Sequence, residues 1–280
     1  MKLTRVIING ALGKMGQEIT CAVLCEPGLK IVGAVEKKVT QKFLPLTEPL
    51  TGTSELVPFS SDLESLLKNC SPNVLVDFTN AAASIAAARI TLKHKVSMVT
   101  GTSGLSEENV REIEQLCRDN KVGAIIAPNF SLGAVLLIQL ARVAAKFFDY
   151  AEIIEMHHEK KIDAPSGTAV ATAKAMLATH GGPFIYPGTE KEVVSSVRGG
   201  QIDGIAIHSL RSPGFMAGQE VILSAAGQTL RLRHESISRE SFMPGIILAI
   251  KEVTKHKGLT YGLDALLDVE TEFQHLDPKR

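Results

Sequence analysis

The 280-residue sequence contains no tryptophan, and aromatic residues make up only 5% of it. It also lacks an excess of either charge, because 30 Lys and Arg side chains balance 30 Asp and Glu side chains. A balanced chain creates no long-range field towards nucleic acid or an anionic membrane surface, so we expect neither as a partner. Small-molecule chemistry is the better starting hypothesis.

Cysteines and long apolar runs are also scarce. The four cysteines, Cys21, Cys25, Cys70 and Cys117, form no CxxC pair, which favours reduced, buried thiols over disulfides or metal ligands. No apolar run approaches the roughly 18 residues of a membrane helix. Strand-forming residues, rather than a secretory leader, follow the first methionine. We therefore expect a cytoplasmic protein.

Hydrophobic residues make up 45% of the chain, enough for one large or two smaller domains. The first 130 residues alternate between predicted strands and predicted helices. Strands are predicted at residues 5–9, 31–35, 74–78, 96–100 and 123–127, and helices at 17–24, 63–67, 81–92 and 107–118. Strands that are apolar throughout and separated by helices indicate a doubly wound parallel sheet, covered on both faces.

The pattern changes from about residue 151. Strands are predicted there at 153–156, 193–197, 205–210, 221–225 and 230–233, with a single helix at 168–177. This order indicates an α+β region with a mostly antiparallel sheet. A helix at 238–255 should pack back on the N-terminal domain, and the tail after residue 268 should fray. We therefore predict an α/β protein with one domain at 1–130, completed by 239–280, and another at 131–238.

A glycine-rich loop, GALGKMG at residues 10–16, follows the first strand and opens the first helix. Glycines there allow a tight turn and let backbone amides approach a pyrophosphate, although a turn can need glycine for steric reasons alone. Glu36 ends the second strand, where a carboxylate can hydrogen-bond an adenosine ribose. Lys37 and Lys38 beside it could accept a 2′-phosphate. The combination predicts dinucleotide binding and leaves NADH and NADPH both open.

Three later strand ends carry small, amide-bearing or aromatic residues, at 78–79, 101–103 and 127–130. Ligands of an open parallel sheet lie beyond the carboxyl ends of its strands. Taken singly, any of these segments could be an ordinary loop, in which such residues are common. Together they predict a nicotinamide and substrate pocket.

Two adjacent histidines, His157 and His158, close the first strand of the second region. Their side chains should point to opposite faces, so only one can easily face a substrate. Imidazole suits a proton donor near neutral pH, although a structural histidine is the plainer interpretation. Adjacent histidines on a strand cannot chelate one metal, so we expect no metal site. The other six histidines are assigned to the surface.

Polar residues follow the histidines in the sequence HHEKKIDAPSGTA. Lys161 could supply a second proton or bind a carboxylate, or it could belong to a solvated turn. Pro165 should fix the entry to a helix that Ser166 or Thr168 caps, leaving the amides of Gly167 and Thr168 free for an anion unless the helix is simply well capped. Histidine, lysine and an anion site together suit a small carboxylate substrate.

Taken in order, GALGKMG, VDFT at 76–79, GTSG at 101–104, APNFSLG at 127–133 and HHEKKIDAPSGTA at 157–169 closely resemble the 4-hydroxy-tetrahydrodipicolinate reductase family of lysine and diaminopimelate synthesis. The resemblance covers nearly the whole chain. It implies a Rossmann domain, a C-terminal substrate and tetramerisation domain, and NADH or NADPH as cofactor. It also implies reduction of the cyclic substrate, with hydride added at C4, a proton at C3 and loss of water.

The same resemblance implies a role for each matching residue. The pyrophosphate would be held by Gly10, Ala11, Leu12, Gly13, Lys14 and Met15, the adenosine ribose or its phosphate by Glu36 and Lys37, and the nicotinamide end by Gly101, Thr102, Ser103, Ala127, Pro128, Asn129 and Phe130. His157 would carry the proton, with Lys161 as second donor, His158 as substrate contact, and Gly167 and Thr168 as carboxylate cradle.

Two departures from the family pattern concern the cofactor and the later sheet. Lys37 stands where many members carry arginine, which leaves the cofactor preference open. Gln219 and Glu220 stand where many carry Glu-His, which bears on how that sheet packs or assembles. The alternative hypotheses are another amine or amino-acid dehydrogenase, such as an aspartate dehydrogenase, and a binding protein that senses a dinucleotide.

Overall fold

The computed structural model describes residues 3–267, and the chain divides into two compact units. Within the described residues, the first unit comprises 3–130 and 242–267, and the second comprises 131–241. The tail that we expect to fray lies outside the described residues. No helix in the described part of the chain is long and apolar enough to cross a membrane.

The first unit is built on an eight-stranded sheet. Its strands are β1 (Thr4–Asn9), β2 (Leu29–Val35), β3 (Phe43–Thr47), β4 (Ser54–Ser60), β5 (Val74–Asp77), β6 (Ser97–Thr100), β7 (Gly123–Ile126) and, from the C-terminal segment, β13 (Gly258–Tyr261). The helices are α1 (Lys14–Cys25), α2 (Leu63–Cys70), α3 (Ala81–Lys93), α4 (Glu107–Asn120) and α7 (Met243–Val253). The return of α7 to this unit, where it packs on α1 and β6, confirms the predicted C-terminal helix.

The strand order β13-β7-β6-β5-β1-β2-β4-β3 confirms the doubly wound sheet. Every pairing is parallel except the β3–β4 hairpin. All residues of β5, β6 and β7 are buried, as a sheet covered on both faces requires. The order reverses beside β1, because β2 lies on one side and β5 on the other. Such a reversal opens a crevice at the carboxyl ends of these strands.

The β3–β4 hairpin and β13 have no predicted counterparts. Pro45 and Pro58 lie within β3 and β4, and proline argues against a strand unless the strand is at an edge. Strand β3 is indeed the sheet edge. Cys70 and Cys117 are buried as expected, whereas Cys21 is exposed, because it lies on the outer side of α1, and its expected burial is therefore wrong.

The second unit has a five-stranded sheet with two helices on one face. Its elements are α5 (Leu132–Ala144), β8 (Tyr150–His157), α6 (Gly167–His180), β9 (Gly200–Ile202), β10 (Ile205–Arg211), β11 (Ala217–Ala225) and β12 (Gln228–Ser236). In the order β12-β11-β8-β10-β9 only the β8–β10 pairing is parallel, so the mostly antiparallel sheet is confirmed. Ile153, Ile207 and Val221 face α5 and α6 in the core.

Two sequence patterns in the second unit behave differently from expectation. The strand predicted at 193–197 is wrong: Val193 is 85% exposed and Val194 is 65% exposed, in a segment of bends and turns. β-branched residues alone do not make a strand without a neighbour to pair with. Helix α5 has no predicted counterpart, because its almost continuous apolar sequence shows no clear period.

Candidate active site

The glycine loop lies between the end of β1 at Asn9 and the start of α1 at Lys14. Gly10 has a φ of +78°, a left-handed conformation that favours glycine. A Cβ added to Gly16 would lie 2.1 Å from the carbonyl oxygen of Gly10, so only glycine lets the helix pack this closely on the loop. The loop therefore has the tight turn and close helix packing that a dinucleotide-binding turn needs.

Glu36 follows β2 and lies against this loop. Its Oε2 accepts a hydrogen bond from the Leu12 amide at 3.2 Å, and its Oε1 accepts one from the Lys37 amide at 2.9 Å. Lys37 and Lys38 are exposed. The structure thus brings together the carboxylate and the loop that the sequence pairs only by position.

A groove of about 750 Å³ runs along these residues within the first unit. Its lining includes Asn9, Gly10, Gly13, Glu36, Lys37, Phe78, Thr79 and the alanine-rich face of α3. Backbone amides at a helix start suit a phosphate, a carboxylate suits a ribose, and an apolar wall suits a base. The residues present therefore fit the adenosine half of NADH or NADPH.

Asp77, the last residue of β5, was not identified from the sequence. It is fully buried and accepts hydrogen bonds from Asn9 Nδ2 at 2.7 Å, Thr79 Oγ1 at 2.8 Å, Thr102 Oγ1 at 3.0 Å and Thr100 Oγ1 at 3.2 Å. One carboxylate thus ties together the carboxyl ends of β1, β5 and β6. The motif VDFT at 76–79 contains Asp77, but a buried acid with hydroxyl and amide donors gives no spacing signal from which its role could be predicted.

Replacing Asp77 by alanine is expected to lower the free energy of unfolding by about 3 kcal/mol or more. The change leaves several buried donors without the charged acceptor that they share. Urea unfolding measures the loss. Asp119→Ala is the matched control, because Asp119 is exposed and its Oδ1 accepts a hydrogen bond from Gln115 on its own helix; the variant should change stability by less than about 0.5 kcal/mol. Equal losses in the two variants would contradict the structural role of Asp77.

The remaining predicted cofactor residues lie beyond β6 and β7 in the same unit. A Cβ on Gly101 would come within 2.2 Å of the Phe78 ring, so glycine lets that ring pack on the loop. The Phe78 and Phe130 rings are 5.3 Å apart. Ala127 and Phe130 are buried, and Ser103 and Pro128 are exposed. Phe130 therefore anchors the segment 127–130 in the core, whereas Pro128 of the same segment is exposed to solvent.

In the second unit, β8 ends at His157. The His157 Nδ1 atom lies 2.6 Å from Glu155 Oε2, and the two side chains lie on the same face of the strand. His157 is 16% exposed at its side chain, whereas the neighbouring His158 is exposed. The two adjacent histidines thus occupy different environments.

Glu155 is the fully buried centre of this cluster. Arg211 Nη1 donates to its Oε2 at 3.0 Å and Arg211 Nη2 donates to its Oε1 at 2.7 Å. The Ser166 amide also donates to Oε1 at 3.3 Å. Burial raises the pKa of Glu155, but the hydrogen bonds, led by those from Arg211, outweigh it and the pKa is lowered. Glu155 is therefore a carboxylate at neutral pH.

Neither Glu155 nor Arg211 was identified from the sequence as a site residue. The two residues are 56 positions apart, and their contact depends on the parallel pairing of β8 and β10. The only available signal was an acid two residues before a histidine on a predicted strand, which places both on one face.

Burial is the main cause that lowers the pKa of His157, and it outweighs the opposing effect of Glu155. The positive charges of Lys161 and Arg211 lower it further. Lys161 itself pairs with Asp163, with its Nζ 2.7 Å from Oδ1. His157 is thus neutral near pH 7, and because a carboxylate only accepts, its proton lies on Nδ1. The Nε2 atom is left to accept or, once protonated, to donate.

Helix α6 begins immediately after this cluster. The Ser166 hydroxyl oxygen caps the helix by accepting from the Ala169 amide at 3.2 Å. The amides of Gly167 and Thr168, in the first turn, have no partner within the helix. A Cβ on Gly167 would meet no atom within 4 Å, so the space beside the helix start is open. These two amides are therefore open to a ligand, and their role as a carboxylate cradle stays a prediction.

Among the remaining histidines, His234 is not on the surface as expected. It is half-buried: its Nε2 lies 3.2 Å from Ser131 Oγ, and burial lowers its pKa. Its strand alternates, so this side of β12 faces α5. His275 lies outside the described residues. In the part of the chain that the structure describes, no group of three or more His, Cys, Asp or Glu side chains could hold a metal ion.

The two residues that depart from the family pattern both have structural partners. Gln219 is buried on β11, and its Nε2 donates to Thr172 Oγ1 on α6 at 2.8 Å. Glu220 faces the other side of the sheet and pairs with Arg231 at 3.0 Å. The departures are therefore accommodated by one contact to a helix and one across the sheet.

Comparison with known proteins identifies relatives along almost the whole chain. The family model described as "Dihydrodipicolinate reductase, N-terminus" matches residues 4–130, and its C-terminal counterpart matches residues 133–267. A 4-hydroxy-tetrahydrodipicolinate reductase of Dehalococcoides mccartyi is 50% identical over 94% of this chain and 98% of its own length. One from Moorella thermoacetica is 45% identical with the same coverage.

Comparison with solved structures points to the same family. The dipicolinate-bound dihydrodipicolinate reductase of Paenisporosarcina sp. TG-14 superposes with a TM-score of 0.82 at 39% identity, covering 94% of this chain and 99% of that one. An amine dehydrogenase of Mycobacterium smegmatis, at a TM-score of 0.62 and 15% identity over 93% of this chain and 95% of that one, shares the fold alone. The chain therefore belongs to the dihydrodipicolinate reductase family of NAD(P)H-dependent oxidoreductases in lysine and diaminopimelate biosynthesis.

Proposed function

We propose that this protein reduces 4-hydroxy-tetrahydrodipicolinate to tetrahydrodipicolinate at the expense of NADH or NADPH. The observation that carries the proposal is the half-buried His157, held by a buried carboxylate, in the same segment as a helix start with free amides. Such a segment can bind a small carboxylate and deliver a proton to it. Overall, the 4-hydroxyl and one hydrogen from a neighbouring ring carbon leave as water, and one hydride enters the ring at C4 and one proton at C3.

The first unit would hold the cofactor, which supplies the hydride when bound. The amides of residues 10–15 would contact the pyrophosphate, and Glu36 would bind the adenosine ribose. Residues 101–103 and 127–130 would border the nicotinamide end. Asp77, by tying the strand ends together, would keep these loops in place.

His157 would protonate C3 of the substrate ring. In the protein alone its pKa is lowered, chiefly by burial. A bound dicarboxylate would bring negative charge close to the ring and raise that pKa, since opposite charges favour the protonated form. The proton would therefore be taken up when substrate binds and be delivered from Nε2. Lys161 would act as a second proton donor.

The second unit would also bind the substrate through the carboxylates that the substrate carries. One carboxylate would accept hydrogen bonds from the amides of Gly167 and Thr168, where the helix dipole also favours an anion. His158, exposed at the end of β8, would contact the substrate from the rim. Binding by backbone amides leaves His157 free for proton transfer.

The test is an assay of purified protein with NADH or NADPH and freshly condensed pyruvate and aspartate semialdehyde. Oxidation of either cofactor that depends on this substrate supports the proposal. Oxidation only with oxaloacetate and ammonia would indicate an amino-acid dehydrogenase instead. Cofactor binding in a calorimeter without turnover of any cyclic imine would indicate a sensor.

The exposed Lys37 and Lys38 should favour NADPH by attraction to its 2′-phosphate. Replacing both by alanine is expected to weaken NADPH binding about 10-fold, because two exposed charge contacts are worth roughly 1 kcal/mol or slightly more together. NADH binding should change less than about twofold. Titration of both cofactors measures the effect, with Lys121→Ala, outside the groove, as control. An equal loss of affinity for both cofactors would contradict the proposed contact between these lysines and the 2′-phosphate.

We further propose that the enzyme is a cytoplasmic homotetramer, with a cofactor domain at 1–130 and 239–280 and a substrate and oligomerisation domain at 131–238. One face of the second sheet packs on α5 and α6, and the other carries partly exposed apolar residues such as Ile154 and Ile222. Sedimentation equilibrium should give four times the chain mass of 30.0 kDa. A monomer at micromolar concentration would contradict this proposal.

A further inference from the structure

We propose that the buried Glu155 and the partly buried Arg211 form a charge-neutral pair that positions His157 for proton transfer. Both are positioning residues that act through the histidine ring. The inference rests on the proposed function of His157 and adds to it the means by which the fold fixes the ring.

The pairing of strands places these three side chains together. Arg211 is the last residue of β10 and lies in register with His157, the last residue of β8. Glu155 precedes His157 by two residues, so its side chain lies on the same face of the sheet. The guanidinium meets both carboxylate oxygens, at 3.0 and 2.7 Å, and the bidentate geometry fixes the carboxylate plane.

The carboxylate in turn fixes the imidazole. Glu155 Oε2 lies 2.6 Å from His157 Nδ1 and can only accept, so the Nδ1 proton is retained and Nε2 faces away from Glu155. The Glu155 side chain is fully buried and that of Arg211 is 19% exposed. Water therefore offers little competition for these hydrogen bonds.

Arg211 also limits how far the Glu155 carboxylate raises the basicity of the His157 ring. A lone buried carboxylate beside a histidine would hold the imidazolium as an ion pair and make it a poor proton donor. Neutralised by Arg211, Glu155 orients the ring with little gain in basicity. The charged groups that face His157 are Glu155 from β8, Lys161 with its partner Asp163 from the following loop, and Arg211 from β10.

The same carboxylate also reaches the proposed anion cradle. Glu155 Oε1 accepts from the amide of Ser166, the residue that caps α6. Arg211 Nη2 donates to the carbonyl oxygen of Asp163 in the connecting loop, at 2.7 Å. The pair therefore fixes the separation between the His157 ring and the amides of Gly167 and Thr168.

The protein provides a matched control on the same strand. Glu152 faces the other side of β8 and also pairs with an arginine and a histidine: Arg198 at 2.7 Å and His208 at 3.0 Å. Its side chain is 34% exposed, and it does not contact His157. Glu152→Gln thus removes the same kind of carboxylate without affecting the proposed site.

The experiment combines two measurements on Glu155→Gln, Arg211→Gln, the double variant and Glu152→Gln. The pKa of His157 is read by NMR titration of its ring, and the pH profile of kcat/KM is recorded with the active cofactor. Glu155→Gln should lower the His157 pKa by about one pH unit, and Arg211→Gln should raise it by a similar amount. The limb on which activity falls as pH rises should shift in the same directions.

The double variant keeps the proposal testable if Glu155→Gln does not fold, because it also removes the unpaired arginine. Its His157 pKa should fall below that of the wild type, since the carboxylate is the nearer charge. Unchanged His157 titration in the variants, or an equal shift in Glu152→Gln, would overturn the inference. If the His157 pKa shifts as expected while the pH profile does not, the pair positions the ring but the proposed role of His157 in proton transfer is wrong.

Discussion

The variant His157→Gln is expected to lose kcat by a factor on the order of 10² to 10⁴, while its affinity for NADH or NADPH stays within about twofold of the wild type. Glutamine keeps a polar side chain of similar reach but carries no proton to donate near neutral pH. It also leaves Glu155 paired with Arg211, so the local fold should survive. Steady-state kinetics and a separate cofactor titration measure the two effects.

His208→Gln is the matched control for this change. His208 also bonds a glutamate, with its Nε2 3.0 Å from Glu152, but on the opposite face of the same sheet. Its kcat should remain within about twofold of the wild type. Loss of cofactor affinity with kcat retained in His157→Gln would show that His157 does not transfer the proton.

The variant Gly167→Pro is expected to raise KM for the substrate by about 10- to 100-fold, the equivalent of losing one hydrogen bond to a charged group. Proline is well tolerated at the first position of a helix. The preceding Ser166 has φ −65° and ψ 150°, which suits a residue before proline. The helix should therefore form as before while one of the two cradle amides is removed.

Gly167→Ala separates loss of the amide from loss of glycine. A Cβ at this position meets no atom within 4 Å, and alanine retains the N–H, so KM should stay within about threefold of the wild type. Circular dichroism should show unchanged helix content in both variants. An equal rise in KM for alanine and proline would mean that the Gly167 amide does not bind the substrate.

The doubly wound sheet was predictable because its strands are short and apolar throughout. The four-residue strands β5, β6 and β7 are buried on both faces, and short continuous apolar runs between predicted helices identify such strands. The β3–β4 hairpin was not predictable in this way, because it is an edge with proline in both strands. Its pairing depends on tertiary context rather than on local propensity.

The candidate site was predictable only where its residues are close in sequence. His157, Lys161, Gly167 and Thr168 fall in one segment with a helix start, and the glycine loop precedes a helix. Asp77 and Arg211 contact residues on distant strands, Thr100 in one case and Glu155 in the other. Spacing along one chain cannot show such pairs, because they arise from sheet order and register.

We propose that His157 transfers the proton and that other residues bind the substrate. The most direct test is calorimetric titration of dipicolinate into the His157→Gln variant loaded with cofactor. Dipicolinate is the ligand named for the Paenisporosarcina enzyme. Dipicolinate carries two carboxylates but needs no proton from the protein. We expect an affinity for dipicolinate within about threefold of the wild type, although turnover of the same preparation falls on the order of 10² or more. A loss of dipicolinate affinity as large as the loss of turnover would contradict it, because His157 would then bind the substrate rather than protonate it.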